Sequence, residues 1–208
     1  MMLAPTRRTV VVLVMLLGAM TAASALLLVL QGGVFNPEKL NRLSKPDPAE
    51  RLFRAERPVD PAKWNTIEIH FSGQSFGSAE SLDSLHYRAG LGGLSYHFVV
   101  NNGRGGDDGA IQLSQRWMRQ RPGLDLKSES TPSEKPGAVS VCLIGDFERE
   151  SPTEAQVREL VWLVNQLQRR LSIPAQAVRI EGSWRPDEPG RLFDESDLRR
   201  QLLSFASN

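Results

Sequence analysis

AVSVCLIG, residues 138–145, is the most apolar run of the chain outside its N-terminal segment. A short, continuous run of apolar and β-branched residues is typical of a strand that is buried on both faces of a sheet. The sequence therefore predicts a central strand at 138–145, in which Cys142 is a small core side chain. Because Cys142 is the single cysteine, the chain forms no internal disulfide.

Helical and strand patterns alternate on both sides of this run. Further strands are predicted at 66–71 (TIEIHF), 95–100 (SYHFVV), 110–114 and 177–180, and helices at 78–90, 151–171 and 195–205. The longest helix begins with a capping-box pattern at Ser151 and Glu154 and continues with apolar residues at helical spacing. We therefore predict an α/β domain in which a central mixed β-sheet is flanked by helices. The polar segment 115–138 is predicted to be a long surface loop.

The N-terminal segment carries no charged residue between Thr9 and Pro37. Its apolar run is long enough to cross a membrane, and Arg7 and Arg8 before it predict a cytoplasmic N-terminus. We predict a cytoplasmic tail (1–8), a transmembrane signal-anchor (9–31), a linker (32–60) and the α/β domain (61–208). A cleaved signal peptide is the alternative. Either interpretation places the domain outside the cytoplasm, in the periplasm or its equivalent.

The charge of the chain argues against a nucleic-acid partner. The 208 residues include 25 Lys and Arg against 24 Asp and Glu, which gives a net charge of +1. A protein held to nucleic acid by phosphate contacts normally shows a basic excess or stripe. The three histidines and single cysteine also leave few ligands for a zinc site.

Motifs between residues 64 and 203 resemble, in order, those of the zinc-dependent N-acetylmuramoyl-L-alanine amidases and the peptidoglycan recognition proteins that share their fold. The residues that carry the resemblance are His70, His86, Gly90, Tyr96-His97-Phe98, Asp108-Gly109, Arg116-Trp117 with Gln120, Cys142-Leu143-Ile144-Gly145-Asp146-Phe147, and Pro152-Thr153 with Gln156. The resemblance implies the amidase/peptidoglycan-recognition fold, with the muramic acid and stem peptide of peptidoglycan as partner. It also implies a zinc-bound water that hydrolyses the lactyl-L-alanine amide.

The zinc ligands that the resemblance implies are only partly present. His70 stands at the first position, but Ser183 stands where the family has a second histidine, and Glu188 stands where it has Cys or Asp. A serine hydroxyl is a poor zinc ligand, whereas a carboxylate such as that of Glu188 can bind zinc. With His70 and Glu188 as the candidate metal ligands, we expect no bound cofactor and a domain that does not hydrolyse its partner.

The resulting hypothesis is a membrane-anchored, extracytoplasmic pseudoenzyme that binds peptidoglycan. Tyr96 is the catalytic candidate that the resemblance implies, while Trp117 and Trp184 are candidates for stacking on sugars. The full set of predicted binding residues is His70, Tyr96, Trp117, Asp125 and Trp184.

The remaining predictions concern the side chain of His97 and two alternative functions of the domain. His97 lies on the opposite face of its strand from Tyr96, so we predict a buried, hydrogen-bonded side chain there. One alternative function is an active amidase with an unusual zinc site, which would use His70, Glu188 and a third group. The second is a scaffold that binds another envelope protein.

Overall fold

The structure is a computed structural model that describes residues 7–34, 48–126, 133–183 and 190–206. The chain divides into two compact units, Met1–Arg51 and Leu52–Asn208. The first unit contains helix α1, Arg7–Val34, in the region where a helix was expected. Within the described residues, however, no helix combines the length and hydrophobicity that a membrane span requires.

A five-stranded mixed sheet forms the centre of the second unit. Its strands are β1 (Thr66–Phe71), β2 (Phe98–Val100), β3 (Ile111–Leu113), β6 (Ala138–Leu143) and β7 (Val178–Ser183), in the spatial order β3-β2-β6-β1-β7. Strands β2, β6, β1 and β7 are parallel to one another, and β3 pairs with β2 in antiparallel orientation at the edge of the sheet. Every residue of β6 is buried, which confirms the predicted central strand. Strands β4 (Gly123–Asp125) and β5 (Ser133–Lys135) form a separate two-stranded sheet.

Helices flank the sheet, as predicted. A short helix, α2 (Pro48–Leu52), spans the boundary in sequence between the two units. The helices of the second unit are α3 (Ala79–Arg88), α4 (Gln115–Met118), α5 (Glu154–Leu171) and α6 (Glu195–Ala206), with short 3₁₀ turns at Pro61–Lys63 and Ala175–Ala177. The apolar stripe predicted for α5 is confirmed, since Leu160, Val161, Val164, Leu167 and Leu171 are all buried.

The N-terminus of α5 differs from the prediction by two residues. Thr153, and not Ser151, caps the helix, because its hydroxyl accepts the N–H of Gln156 at 3.0 Å while the Gln156 side chain accepts the N–H of Thr153. The side-chain nitrogen of Gln156, Nε2, also donates to the carbonyl oxygens of Val100 and Ile144. Val100 is the last residue of β2, and Ile144 directly follows the adjacent strand β6. This buried side chain therefore joins the start of α5 to the sheet.

The alternation of side chains along β1 divides the core into two layers. Ile67, Ile69 and Phe71 point to the face that packs against α5 in the larger hydrophobic cluster. Glu68 and His70 consequently point to the opposite face. A smaller cluster on that face contains Leu82, Tyr96 and Cys142, among others.

The prediction of a long surface loop at 115–138 is wrong for the residues that the structure describes, and Trp117, a predicted candidate for stacking on sugars, is buried. The segment contains α4 and strands β4 and β5. The Trp117 side chain is 0% exposed and packs against Phe98, Phe53 and Trp64, with ring centroids 4.8, 5.8 and 6.0 Å away. Trp117 therefore belongs to the larger core and is not available for stacking on a sugar.

Replacement of this tryptophan should therefore destabilise the domain. We expect Trp117→Ala to lower the free energy of unfolding by about 3–5 kcal/mol, because it leaves a cavity among these three aromatic rings. Tyr87→Ala, at a side chain that is 71% exposed, should change it by less than about 0.5 kcal/mol. Denaturant unfolding of both variants measures the difference. Equal, small effects would contradict the buried position of Trp117.

Candidate functional site

The candidate site lies at the end of β1, on the face of the sheet opposite α5. His70 pairs in register with Cys142 of β6 and with Gly182 of β7, where an irregularity between Ile69 and His70 shifts the register of the β1–β7 pair. The imidazole ring of His70 lies 5.2 Å from the ring of Tyr96. The structure therefore brings together His70 and Tyr96, as predicted.

A buried carboxylate lies directly beside His70. Glu68 is 1% exposed, and its Oε1 forms an ion pair with Lys135 Nζ at 2.7 Å. Its Oε2 lies 3.6 Å from His70 Nε2, and neither of these two atoms has a hydrogen-bond partner among the described residues. Burial alone would raise the pKa of Glu68, but His70 and Lys135 outweigh it and lower the pKa. Glu68 is therefore a carboxylate whose charge Lys135 neutralises.

Tyr96 is almost completely enclosed. Its side chain is 1% exposed and interacts with the thiol of Cys142, and burial together with this neighbour raises its pKa well above the usual value. Burial also raises the pKa of the Cys142 thiol. Both groups are consequently neutral, and Cys142 is a core side chain, as predicted, with no nucleophilic character.

An apolar cavity of about 250 Å³ opens beside Tyr96, between α3 and the sheet. Its lining is Ser72, Leu82, Leu85, His86, Ala89, Leu91, Tyr96 and Leu126. His86 Nδ1 accepts the N–H of Ser95 at 3.1 Å, and burial lowers the pKa of His86 to about 4 against the raising charge of Asp83. The cavity is therefore uncharged at neutral pH and suited to an apolar group.

The other predicted site residues fall in three places. Asp125 lies half-buried in β4, close to Lys135. Burial lowers the pKa of Lys135, but the charges of Glu68, Glu181 and Asp125 outweigh burial and raise it. Ser183 is the last residue of β7 and pairs in register with Phe71. Trp184 and Glu188 lie outside the described residues.

The described residues do not fit a catalytic zinc ion. Across residues 7–34, 48–126, 133–183 and 190–206, no group of three His, Cys, Asp or Glu is placed to hold a metal. The carboxylate of Glu68 lies 3.6 Å from His70 Nε2, but its charge is already neutralised by the ammonium group of Lys135. A cation at this place would meet the positive charge of Lys135, and its donor set would contain one imidazole where zinc prefers several nitrogen or sulfur ligands.

Glu68 and Lys135 are the site residues that sequence reasoning missed. One signal was available for Glu68, because a charged residue between two isoleucines of a strand lies on the same face as His70, two residues later. Lys135 gave no such signal. It comes from a different sheet, and only the fold places it beside Glu68.

His97 confirms the prediction of a buried, hydrogen-bonded histidine. Its Nδ1 accepts the N–H of Ser140 at 2.8 Å, and its Nε2 lies 2.8 Å from the carbonyl oxygen of Arg121. The second contact requires the Nε2–H tautomer. Burial lowers the pKa of His97 to about 4, although the bond to Arg121 acts in the opposite direction.

Comparison with known proteins agrees with the motifs described above. The sequence model of the Amidase_2 family, N-acetylmuramoyl-L-alanine amidase, matches residues 60–191. No curated protein sequence matches significantly.

Three solved structures are among those that match this chain. The endolysin amidase LysCS from Clostridium intestinale URNW is 16% identical with a TM-score of 0.45, and the match covers 73% of this chain and 91% of that one. Drosophila PGRP-LB is 20% identical with a TM-score of 0.43, over 68% and 85% of the two chains. The amidase AmiD from E. coli, in complex with a muropeptide substrate, is 15% identical with a TM-score of 0.42, over 71% and 60%.

The two buried histidines should make the stability of the domain depend on pH. In the unfolded chain His86 and His97 have pKa values near 6.5, and in the folded chain near 4. Between these values the unfolded state binds more protons, so the free energy of unfolding should fall as the pH falls from 6.5 to 4, by up to about 3 kcal/mol per histidine. Denaturant unfolding between pH 7 and pH 4.5 measures the slope.

A variant at His97 provides the control for this prediction. His97→Asn keeps a carbonyl that can accept the N–H of Ser140 but does not titrate, so it should lose about half of the slope. NMR titration of the ring protons in the folded protein gives the two pKa values directly. Values near 6.5 for both rings would contradict the structure.

Proposed function

Because this chain belongs to the N-acetylmuramoyl-L-alanine amidase family, we propose that its domain binds peptidoglycan and does not hydrolyse it. The observation that carries this proposal is the surroundings of His70. The imidazole faces the carboxylate of Glu68, which Lys135 neutralises, and Ser183 stands at the position where the family resemblance expects a second histidine ligand. Binding requires a shaped surface, whereas hydrolysis of an amide by this family's chemistry requires a metal-activated water.

The apolar cavity beside Tyr96 is the proposed binding surface. Leucine side chains dominate its lining, and His86 is neutral, so an uncharged group that carries methyl substituents would be favoured there. The lactyl group of muramic acid and the adjoining L-alanine have this character. His70 and Asp125 would then lie near the polar parts of the same ligand.

The location of the domain stays a prediction that the proposed function requires. Peptidoglycan lies outside the cytoplasmic membrane, and both interpretations of the charge-free N-terminal segment place the domain there. A phosphatase reporter fused after residue 208 should be active if the domain is exported. An inactive fusion of the intact length would contradict both interpretations.

Binding is tested by sedimentation of the full chain with purified sacculi. Ala89 is exposed at the mouth of the cavity, so Ala89→Trp should block it and weaken sacculus binding about tenfold or more, a loss of ~1.4 kcal/mol. Ser84→Trp adds the same bulk on an exposed part of α3 outside the cavity and should bind normally. If the wild-type chain does not sediment above a control protein, the binding proposal is wrong.

The absence of hydrolysis is tested separately, with zinc and purified muropeptide. Zinc should neither raise the Tm of the full chain nor cause peptide release, because an ion that binds the native state would stabilise it. An active amidase of the family serves as the positive control for release. A zinc-dependent rise in Tm together with peptide release, both lost in His70→Ala, would show an active enzyme and overturn the proposal.

A further inference from the structure

A second, polar cavity lies between α3 and α4, away from His70. It has a volume of about 80 Å³, several times the ~10–15 Å³ that one water molecule needs. Its lining consists of Arg116, Arg119, Arg121, Gln115, Asp83 and the loop 92–94. It shares no lining residue with the apolar cavity beside Tyr96.

The fold of the segment after α4 brings the three arginines together. Arg119 donates its backbone N–H to the carbonyl of Gln115 and ends the helix. Gln120 then takes a left-handed conformation with φ of 52°, which reverses the chain so that the N–H of Arg121 reaches the carbonyl of Arg116 at 2.8 Å. A non-glycine residue at positive φ is uncommon and needs support from its surroundings. The buried Gln120 side chain supplies it, through bonds to Trp64 and to the Trp117 carbonyl.

Arg116 is held in a fixed orientation at this cavity. Its Nε donates to the carbonyl oxygen of Leu94 at 2.8 Å and its Nη1 to that of Pro122 at 2.9 Å. Because both acceptors are neutral, the guanidinium keeps its full positive charge without a carboxylate partner in these bonds. A rigid guanidinium loses little conformational entropy when it binds an anion.

The cavity has more positive than negative charge. Asp83 is its one acidic lining residue, and its Oδ1 is already bound to the N–H of Leu94 at 2.7 Å. Glu56 lies 3.8 Å from Arg119 Nε, and both side chains are more than half exposed. Burial lowers the pKa of Arg116, and so does the charge of Arg121, whereas the charge of Glu134 raises it by a smaller amount than the two together lower it. Three guanidinium groups at one place repel one another, and an anion bound between them would offset this repulsion.

We propose that this cavity is a binding site for a phosphate group, either free or as a monoester. Several guanidinium groups can each form paired bonds with a tetrahedral anion, which presents more oxygen atoms and more charge than a carboxylate. The site is independent of the peptidoglycan proposal, since it involves neither His70 nor the apolar cavity.

The test is calorimetric titration of the full chain with inorganic phosphate at constant ionic strength. Arg119→Gln/Arg121→Gln should weaken phosphate binding at least about tenfold, because charge-assisted bonds contribute ~1.5–3 kcal/mol each. Arg116 is left unchanged because it also holds the backbone. The control Arg149→Gln/Arg158→Gln removes the same charge at exposed arginines outside the cavity and should stay within about twofold of the wild type.

Parallel titrations identify the anion. Binding of inorganic phosphate alone would indicate a site for the free ion, and additional binding of glycerol 3-phosphate would indicate a site that admits a monoester. Acetate that binds as tightly as phosphate would overturn the assignment to phosphate. So would undetectable phosphate binding, or an equal loss in the control double variant.

Discussion

Burial of Ile67, Ile69 and Phe71 against α5 fixes the register of β1, and with it the face on which Glu68 and His70 lie. A shift by one residue would exchange the two sets and place a carboxylate and an imidazole in the larger core. The apolar packing on one face therefore holds the site residues in place on the other. The parallel pairing with β6 completes this constraint, because it places His70 opposite Cys142 and near Tyr96.

Local patterns were sufficient to predict most of the sheet and the long helix. The strands at 66–71 and 138–143 and the apolar stripe of α5 each depend on residues close together in sequence. The burial of Trp117 could not be read in this way, because the rings that cover it, Phe53 and Trp64, lie more than fifty residues earlier. The same holds for the site, where Lys135 reaches Glu68 from a hairpin outside the main sheet.

The three histidines of the chain have different environments. His86 and His97 each accept a backbone N–H through Nδ1, and burial keeps both rings neutral. His70 faces the carboxylate of Glu68, which is paired with Lys135. Two imidazoles thus satisfy backbone groups in the interior, and the third forms part of a charged cluster.

The contacts of Gln156 have a consequence for how the domain opens. One amide side chain bonds the first turn of α5 and the carboxyl-terminal side of both β2 and β6. Fraying of the helix start would break both of these bonds and leave the buried carbonyl oxygen of Ile144 without this donor, whereas that of Val100 keeps the N–H of Ile144. The usual partial opening at a helix terminus is therefore coupled to separation of the sheet. The first turn of α5 thereby belongs to the same cooperative unit as the central strands, and its amide protons exchange with solvent only when that whole unit opens.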